Sequence, residues 1–445
     1  MSKAYKPSPL ISTSVSALKG KVTVPGDKSI SHRALMLSSQ AIGVSTVKGL
    51  LESEDVIHTA KALQMMGVGI ARKGNVWKVN GLGTGGLQEP EGVLDMGNSG
   101  TAARLMMGLV SPYDFASTFD GDASLRKRPM KRATLPLEKM GVEIISREGG
   151  LMPITIRGTS ETLPITYEVP VASAQVKSAV LMAALNTQGV TTVIEKTPTR
   201  DHTERMLKGM GADIKVKKEK GRVVIKLRGQ PELKAQNIVV PADPSSAAFL
   251  IVAALITPKS EVTVTNVCMN IHRTGLFTTL KEMGANIAFK NKRTVAGEEV
   301  ADIVAKTSKL KGVKVPAKRA ASMIDEYPIL SIAASFAKGK TEMLGLEELR
   351  VKESDRLSAI ARGLESCGVK IKEGKDSLIV FGADKVKGGG NIKTHMDHRI
   401  AMSFLVMGMV SEKPVTVDDG SMINTSFPDF AKLMNKLGAK IKSSK

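Results

Sequence analysis

Apolar residues fall at helical spacing six times along the chain, and each run closes in the same way. ALQMMGVGI ends at Ile70, PLEKMGVEI at Ile144, MLKGMGADI at Ile214, TLKEMGANI at Ile287, GLESCGVKI at Ile371 and LMNKLGAKI at Ile441. The pattern predicts a helix with an apolar face, a glycine in the left-handed position just past its end, and a strand that starts at once. The glycines are Gly67, Gly141, Gly211, Gly284, Gly368 and Gly438, spaced about 70 to 84 residues apart. That period is too long for short solenoid repeats. Each unit is therefore expected to hold a βαβ element with its own small sheet, three units to a domain. Chance recurrence of a helix-to-strand junction is the alternative, and six matches at nearly even spacing argue against it.

A different pattern separates the halves. The basic stretch from Lys215 to Lys234 gives way to IVVPADPSSAAFLIVAALI, which reads as a strand, a proline-bracketed turn and a new apolar helix. The chain is expected to cross between domains near Val240 to Asp243. Residues 23–241 would then form a first domain of three repeats, and residues 1–22 would join 242–445 in a second. The longest apolar stretch, Ala247 to Ile256, is about half of the roughly 20 residues a membrane helix needs, so no membrane partner is expected. The opening MSKAYKPSPLISTSVS has no continuous apolar core followed by a small-residue cleavage site, which points to the cytoplasm. Cys268 and Cys367 stand outside any CxxC pattern and read as small buried hydrophobes in a reducing compartment.

Composition narrows the class without choosing a function. With 445 residues, 42% hydrophobic and 24% charged, the chain is globular, large enough for two or more domains, and neither disordered nor collagenous. A formal charge of +21 admits nucleic acid, an anionic membrane surface or small polyanionic substrates. Aromatics are 3% of the chain, with Trp 1 and Tyr 4, so stacking platforms are scarce and no nucleic-acid partner is expected.

The candidate chemistry sits at helix starts. In VPGDKSISHRA, Val24 to Ala34, a strand ends at a Pro-Gly turn and Asp27 opens a helix whose first turns carry Lys28, Ser29 and Arg33. Free N–H groups, a helix dipole and two cations favour an anion there, although Asp and Ser are also ordinary caps. LDMGNSGTAARLMMGL, Leu94 to Leu109, puts Gly97, Asn98, Ser99, Gly100 and Thr101 before an apolar helix, where backbone can approach a ligand closely. Arg126, Lys127, Arg128, Lys131 and Arg132 then crowd together. They are either a solvated basic face or, for at least one arginine, a fork for carboxylate or phosphate. In the second half Asp325 and Glu326 precede Pro328 and an apolar helix, and Arg350, Lys352, Glu353, Asp355 and Arg356 mix signs densely. Facing one cleft, such groups supply an acid and a base; as salt-bridged helix ends they supply neither. His395, Asp397, His398 and Arg399 open another helix, and with no third ligand pattern near the HxxH spacing no metal is expected.

The phrases VPGDKSISHRA, GNSGTAARL, LRKRPM, VASAQVKSAVLMAAL, TPTRDHTERML, IDEYPIL, LRVKESDRL, DHRIAMSF and NTSFPDF together carry a resemblance. In that order, from about Lys21 to Phe430, they resemble the motifs of the 5-enolpyruvylshikimate-3-phosphate synthase family. The resemblance implies an α/β fold of the two-domain enolpyruvyl transferase type. Each domain would be an inside-out α/β barrel of three βαβαββ repeats, with the active site in the cleft between domains. It implies transfer of the enolpyruvyl group of phosphoenolpyruvate to the 5-hydroxyl of shikimate 3-phosphate, through a tetrahedral intermediate, with release of phosphate on the shikimate route to aromatic amino acids. It implies no cofactor, and partners limited to the two small-molecule substrates of a monomer.

Carried over by position, the resemblance has Lys28 touch both substrates while Ser29 and Arg33 hold shikimate 3-phosphate. Ser173, Ala174 and Gln175 would contact its phosphate and ring, and Arg200 would meet its phosphate. Gly100, Arg128, Gln175, Arg356 and Arg399 fall on the phosphoenolpyruvate site. Asp325 resembles the base that takes the 5-hydroxyl proton and Glu353 the acid that protonates the methylene carbon, with Lys352 close to the hydroxyl. Thr425 stands where many members have a lysine two residues before the Phe-Pro of the last motif. This variant, with Arg200 and the DEYP and NTSFP phrasing, resembles the family's second class, whose members often tolerate glyphosate. Some of those have Ala where this chain keeps Gly100, so the response to that inhibitor stays open. The sister transferase acting on UDP-N-acetylglucosamine shares the fold but typically uses a loop cysteine, and the stretch from Ser111 to Thr134 has none.

Overall fold

The computed structural model describes residues 7–444. The first six residues, part of the segment read as lacking a secretory signal, and Lys445 lie outside that range. The chain divides into two compact units. The amino-terminal unit is Gly26–Pro241 with Val295–Glu298, and the carboxy-terminal unit holds the residues up to Pro25, Ala242–Thr294 and those from Glu299 onward. The first boundary falls a few residues beyond Val22, and sequence gave no reason to group Val295–Glu298 with the amino-terminal unit.

Helices of two kinds alternate along the chain. In the amino-terminal unit they are α1 (Lys28–Ser39), α2 (Glu54–Met65), α3 (Gly100–Val110), α4 (Lys131–Lys139), α5 (Ala174–Ala184) and α6 (His202–Gly209). In the carboxy-terminal unit they are α7 (Pro244–Ile256), α8 (Gly275–Glu282), α9 (Tyr327–Ser335), α10 (Arg356–Ser366), α11 (His398–Gly408) and α12 (Phe430–Lys436). The odd-numbered helices are buried over almost their whole length. The even-numbered ones bury part of their surface and leave the rest to solvent.

Composition explains the division. Helix α7 is apolar on every side, so it has no face for water and belongs in an interior. Asp243 caps it by accepting from the Ser245 N–H at 2.7 Å, and Pro244 occupies the first turn, where its missing N–H costs nothing. Buried helices can also approach very closely. A Cβ at Gly108 of α3 would lie 2.1 Å from the Ala179 carbonyl oxygen of α5, so backbone meets backbone there.

Even-numbered helices end as the repeated phrase predicts. Gly67 has φ +85°, its N–H donates to the Gln64 carbonyl at 3.0 Å, and the Val68 N–H donates to Leu63 at 3.1 Å. The next strand begins at Gly69. The other five glycines also have positive φ, from +79° at Gly368 to +110° at Gly438. One backbone solution, left-handed and therefore suited to glycine, serves all six repeats.

Each inner and outer helix pair goes with one small sheet. Thr166–Val169 pairs parallel with Val190–Glu195, which runs antiparallel to Arg222–Arg228, itself antiparallel to Ile214–Glu219. With α5 and α6 between its first three strands, this is a βαβαββ unit. Leu94–Asp95, Ala116–Asp120, Leu151–Arg157 and Glu143–Arg147 repeat the order around α3 and α4. The third sheet of that unit takes its parallel strands, Leu233–Lys234 and Asn237–Val239, from the unit's far end, beside Ala41–Lys48. In the carboxy-terminal unit Lys314–Val315, Lys340–Leu344, Ser377–Phe381 and Lys370–Glu373 show the same order. The chain start supplies the other two sheets there. Lys19–Val22 pairs parallel with Glu261–Cys268, and Leu10–Ser12 lies antiparallel between Val415–Val417 and Ile441–Ser443.

Strands such as Leu151–Arg157 and Val190–Glu195 bury alternate residues, so one sheet face packs inward and the other meets water. Within each unit the odd-numbered helices lie inside and the sheets outside. Among the described residues no helix is long and apolar enough to cross a membrane. The candidate motifs sit at the starts of helices of both kinds.

Candidate active site

In the amino-terminal unit three buried helices begin with side-chain caps. Asp27 accepts from Ile30 N–H at 2.9 Å, Ser99 from Ala102 at 3.1 Å and Ser173 from Val176 at 3.4 Å. Positive helix ends result, and cations gather beside them. The Lys28 ammonium lies 2.9 Å from Asp55 of α2. Arg33 is only 2% exposed and donates to Thr203 Oγ1 at 2.7 Å, Ser178 Oγ at 2.6 Å and the Ser29 carbonyl at 2.9 Å. It stitches α1 to α5 and α6 and fixes Ser29 through its carbonyl. Burial first, then Lys28 and Arg33, hold the His32 pKa well below the ordinary imidazole value, so this ring stays neutral.

The basic run after α3 separates into different roles. Arg128, 7% exposed, donates to Asn98 Oδ1 at 2.7 Å, to the Asn98 carbonyl at 3.2 Å and to Ser124 Oγ at 3.0 Å. Arg126 pairs with Asp120 on the surface. Gly100 opens α3 between two guanidiniums: a Cβ there would lie 2.7 Å from Arg104 Nη1 and 3.3 Å from Arg128 Nη1. Arg104 donates to the Gly100 carbonyl at 3.2 Å, to Gln175 Oε1 at 3.0 Å and to the Pro129 carbonyl at 3.1 Å. Gln175 in turn donates to Thr101 Oγ1 at 2.9 Å. Ser173 and Ala174 are half-buried at the start of α5, and Arg200 is half-buried just before α6.

The carboxy-terminal unit gathers charges of both signs. Arg356, 1% exposed at the start of α10, donates to Asp397 Oδ2 at 2.8 Å, to Asp325 Oδ1 at 3.3 Å and to Glu353. Burial opposes its charge, yet Asp397, Glu353 and Asp325 hold its pKa above the usual guanidinium value. Asp397 also caps α11 by accepting from the Arg399 N–H at 2.9 Å. Arg399 donates to the Asp325 backbone carbonyl at 3.3 Å and lies 3.9 Å from the carboxylates of Asp325 and Glu326. Lys352 is half-buried; burial chiefly lowers its pKa, Asp325 opposes that, and Arg356 adds to it.

The two sequence alternatives for the mixed-sign run both occur, at different residues. Glu353 and Arg356 enter the cluster with Asp325. Asp355 instead caps α10 through Ser358 N–H at 3.0 Å, and Arg350 clasps Asp355 at 2.9 Å and Glu373 at 3.0 Å. Thr425, 2% exposed, donates to the Met422 carbonyl at 2.7 Å and meets His398 Nδ1 at 3.3 Å. Thr425 thus presents a neutral, inward hydroxyl at this position. Among the described residues no group of three metal-binding side chains forms.

Sequence reading missed Arg104 and the binding of Arg356 by Asp397. The signal for Arg104 was available: a charge inside the apolar run TAARLMMGL must find partners once that helix is buried. For Asp397 there was none, since it lies 41 residues from Arg356 in the chain.

Residues 12–434 match the family model described as EPSP synthase (3-phosphoshikimate 1-carboxyvinyltransferase). The chain belongs to the EPSP synthase family. The 3-phosphoshikimate 1-carboxyvinyltransferase of Parvibaculum lavamentivorans is 58% identical over 426 residues, covering 95% of this chain and 94% of that protein. That of Brucella abortus is 58% identical over 447 residues, covering 100% of this chain and 99% of the relative. Among solved structures, EPSP synthase from Acinetobacter baumannii is similar with TM-score 0.86 at 44% identity, covering 98% of this chain and 100% of that one. The enolpyruvyl transferase NikO from Streptomyces tendae has TM-score 0.79 at 17% identity over 99% of both chains, a likeness of fold alone. The α/β enolpyruvyl transferase fold expected from the motifs is the fold of this EPSP synthase family member.

Proposed function

We propose that this protein transfers the enolpyruvyl group of phosphoenolpyruvate to the 5-hydroxyl of shikimate 3-phosphate and releases inorganic phosphate. The observation that carries the reading is the pair of carboxylates, Asp325 and Glu353, held on one buried arginine in a member of the EPSP synthase family. The two substrates bring two phosphates and two carboxylates, roughly −5 to −6 in charge at about −1.5 to −2 per phosphate. The cations at the helix starts answer that charge.

Shikimate 3-phosphate is held by Lys28, Ser29, Arg33, Ser173, Ala174, Gln175 and Arg200, and Arg33 also fixes Ser29 through its carbonyl. Phosphoenolpyruvate is held by Lys28, Gly100, Arg128, Gln175, Arg356 and Arg399. Glu353 delivers a proton to C3 of the enol, C2 gains cationic character, and the 5-oxygen adds to it. Asp325 takes the hydroxyl proton, and the product of addition is a tetrahedral ketal phosphate. Breaking the C2–O bond to phosphate and removing a proton from C3 restores the double bond. Each proton transfer contributes about 10²- to 10⁴-fold. When phosphoenolpyruvate takes the Arg356 guanidinium as its partner, Glu353 loses a stabilising cation and can hold the proton it must donate. Lys352 stays beside the hydroxyl as it loses its proton.

This reading needs no metal or organic cofactor. It makes the protein a cytoplasmic monomer, in keeping with two buried free cysteines, Cys268 and Cys367. The test is phosphate release with both substrates, repeated with UDP-N-acetylglucosamine in place of shikimate 3-phosphate. Release with shikimate 3-phosphate alone is expected, and release with only the sugar nucleotide would overturn the reading.

A further inference from the structure

One buried ionic cluster takes no part in the steps above. Lys177 lies on α5, an apolar and buried helix, and is itself 0% exposed. Its ammonium is 3.0 Å from Glu195 Oε2, at the end of the strand Val190–Glu195, and 2.8 Å from Glu204 Oε1, in the first turn of α6. It also donates to the Thr199 carbonyl at 3.4 Å, and the Thr199 hydroxyl donates to Glu195. Both carboxylates are buried, 3% and 5% exposed. Burial works against the lysine's charge, but the carboxylates of Glu204 and Glu195 outweigh it and hold the pKa above the ordinary lysine value.

The place of the cluster suggests its purpose. Lys177 is one turn into the helix that Ser173, Ala174 and Gln175 begin, and its own N–H donates to the Ser173 carbonyl at 3.2 Å. Thr199 immediately precedes Arg200. The neighbouring Ser178 and Thr203 bond each other at 2.8 Å and both receive Arg33. Replacing a whole buried ionic triad with well-packed hydrophobes is often neutral for stability, whereas removing one member alone leaves charge unpaired and destabilises. Stability therefore gives little reason for a triad here. Fixing three separate backbone segments relative to one another does.

We propose that Lys177 is a positioning residue for shikimate 3-phosphate, tying the Ser173–Gln175 helix start to the Thr199–Arg200 segment through Glu195 and Glu204. The proposal rests on the function proposed above. Lys177 touches no substrate; it sets the distance between the groups that do. Loosening it misplaces Arg200 relative to Ser173 and weakens binding of the phosphate that both engage, while the carboxylates of the other unit are untouched.

Steady-state kinetics on Lys177→Met, beside the wild type and with folding checked by thermal melting, tests this. The expected result is a KM for shikimate 3-phosphate raised about 10- to 100-fold, with kcat at saturation within about 3-fold of the wild type. A variant that only melts lower, with its KM for shikimate 3-phosphate unchanged, would show a purely structural lysine and overturn the proposal. If Lys177→Met does not fold, Glu195→Gln decides. It keeps the side-chain volume while removing the charge from one of the two Lys177 pairs, and should raise the same KM about 3- to 10-fold. An unchanged KM there overturns the proposal as well. A wild type that releases no phosphate from the two substrates fails both readings at once, whereas active wild type with unaltered variants fails only this one.

Discussion

Arg128 and Arg356 are both buried arginines just ahead of or at the start of a helix, and hydrogen bonds to different groups orient them. Arg128 donates to the amide of Asn98, its carbonyl and the Ser124 hydroxyl. The hydrogen bonds of Arg356 end on three carboxylates, Asp325, Glu353 and Asp397. Neutral dipoles fix the direction of a guanidinium. Carboxylates cancel the charge and are themselves oriented by it. In the amino-terminal unit Arg33 and Arg104 also donate to hydroxyls, carbonyls and an amide, while in the carboxy-terminal unit Arg399 lies near Asp325 and Glu326.

The comparison breaks most sharply at the carboxylates. Asp325→Asn and Glu353→Gln should each lower kcat by at least about 10²-fold while leaving shikimate 3-phosphate binding, measured by calorimetry, largely intact. Near-normal turnover in either variant would remove that residue from its role. Next in size is stability. Arg356→Met strands the buried carboxylate of Asp397 and the half-buried ones of Asp325 and Glu353, and should cost about 3–5 kcal/mol in denaturant unfolding. A loss below about 1 kcal/mol would show that these carboxylates do not depend on Arg356.

Gly100→Ala probes the amino-terminal unit more gently. Its methyl would sit 2.7 Å from Arg104 Nη1, a group held by three hydrogen bonds, so that guanidinium must shift. The KM for phosphoenolpyruvate should rise about 3- to 10-fold, roughly 1 kcal/mol, with the melting temperature nearly unchanged. A KM equal to that of the wild type would show that neither arginine needs its present position.

The smallest effect is on pH. Lys352 has a lowered pKa, so as pH rises it loses its charge earlier than a free lysine, and the alkaline limb of kcat/KM should begin below the ordinary value of about 10.4. Lys352→Arg keeps the charge at those pH values and should move the limb upward. A limb that stays in place assigns it to another group.

Much of the fold was legible because it depends on local backbone chemistry. A glycine forced to positive φ after a helix leaves the same mark wherever it occurs, and six such marks set out the repeats from Gly67 to Gly438. The helix starts at Lys28 and Gly100 were legible for a related reason, since capping residues and turn glycines near an N-terminus need only a few consecutive positions. Reading became ambiguous where one cluster of charges could serve two ends. Nothing in LRVKESDRL separates Arg350, a clasp for Glu373, from Arg356, the partner of Asp397. The partners lie too far along the chain for spacing to report them.

From its sequence alone this protein could be assigned its repeats, its buried and amphipathic helices, and the loops that carry its chemistry. Each of these follows from interactions between residues within a few positions of one another. Only the tertiary structure decided which carboxylates meet on Arg356, that Arg33 ties α1 to α5 and α6, and that Lys177 joins three segments. The state of a buried charge depends on what the fold brings within about 4 Å of it, and the fall of Coulomb energy with distance and dielectric makes those neighbours, rather than the residue type, decisive.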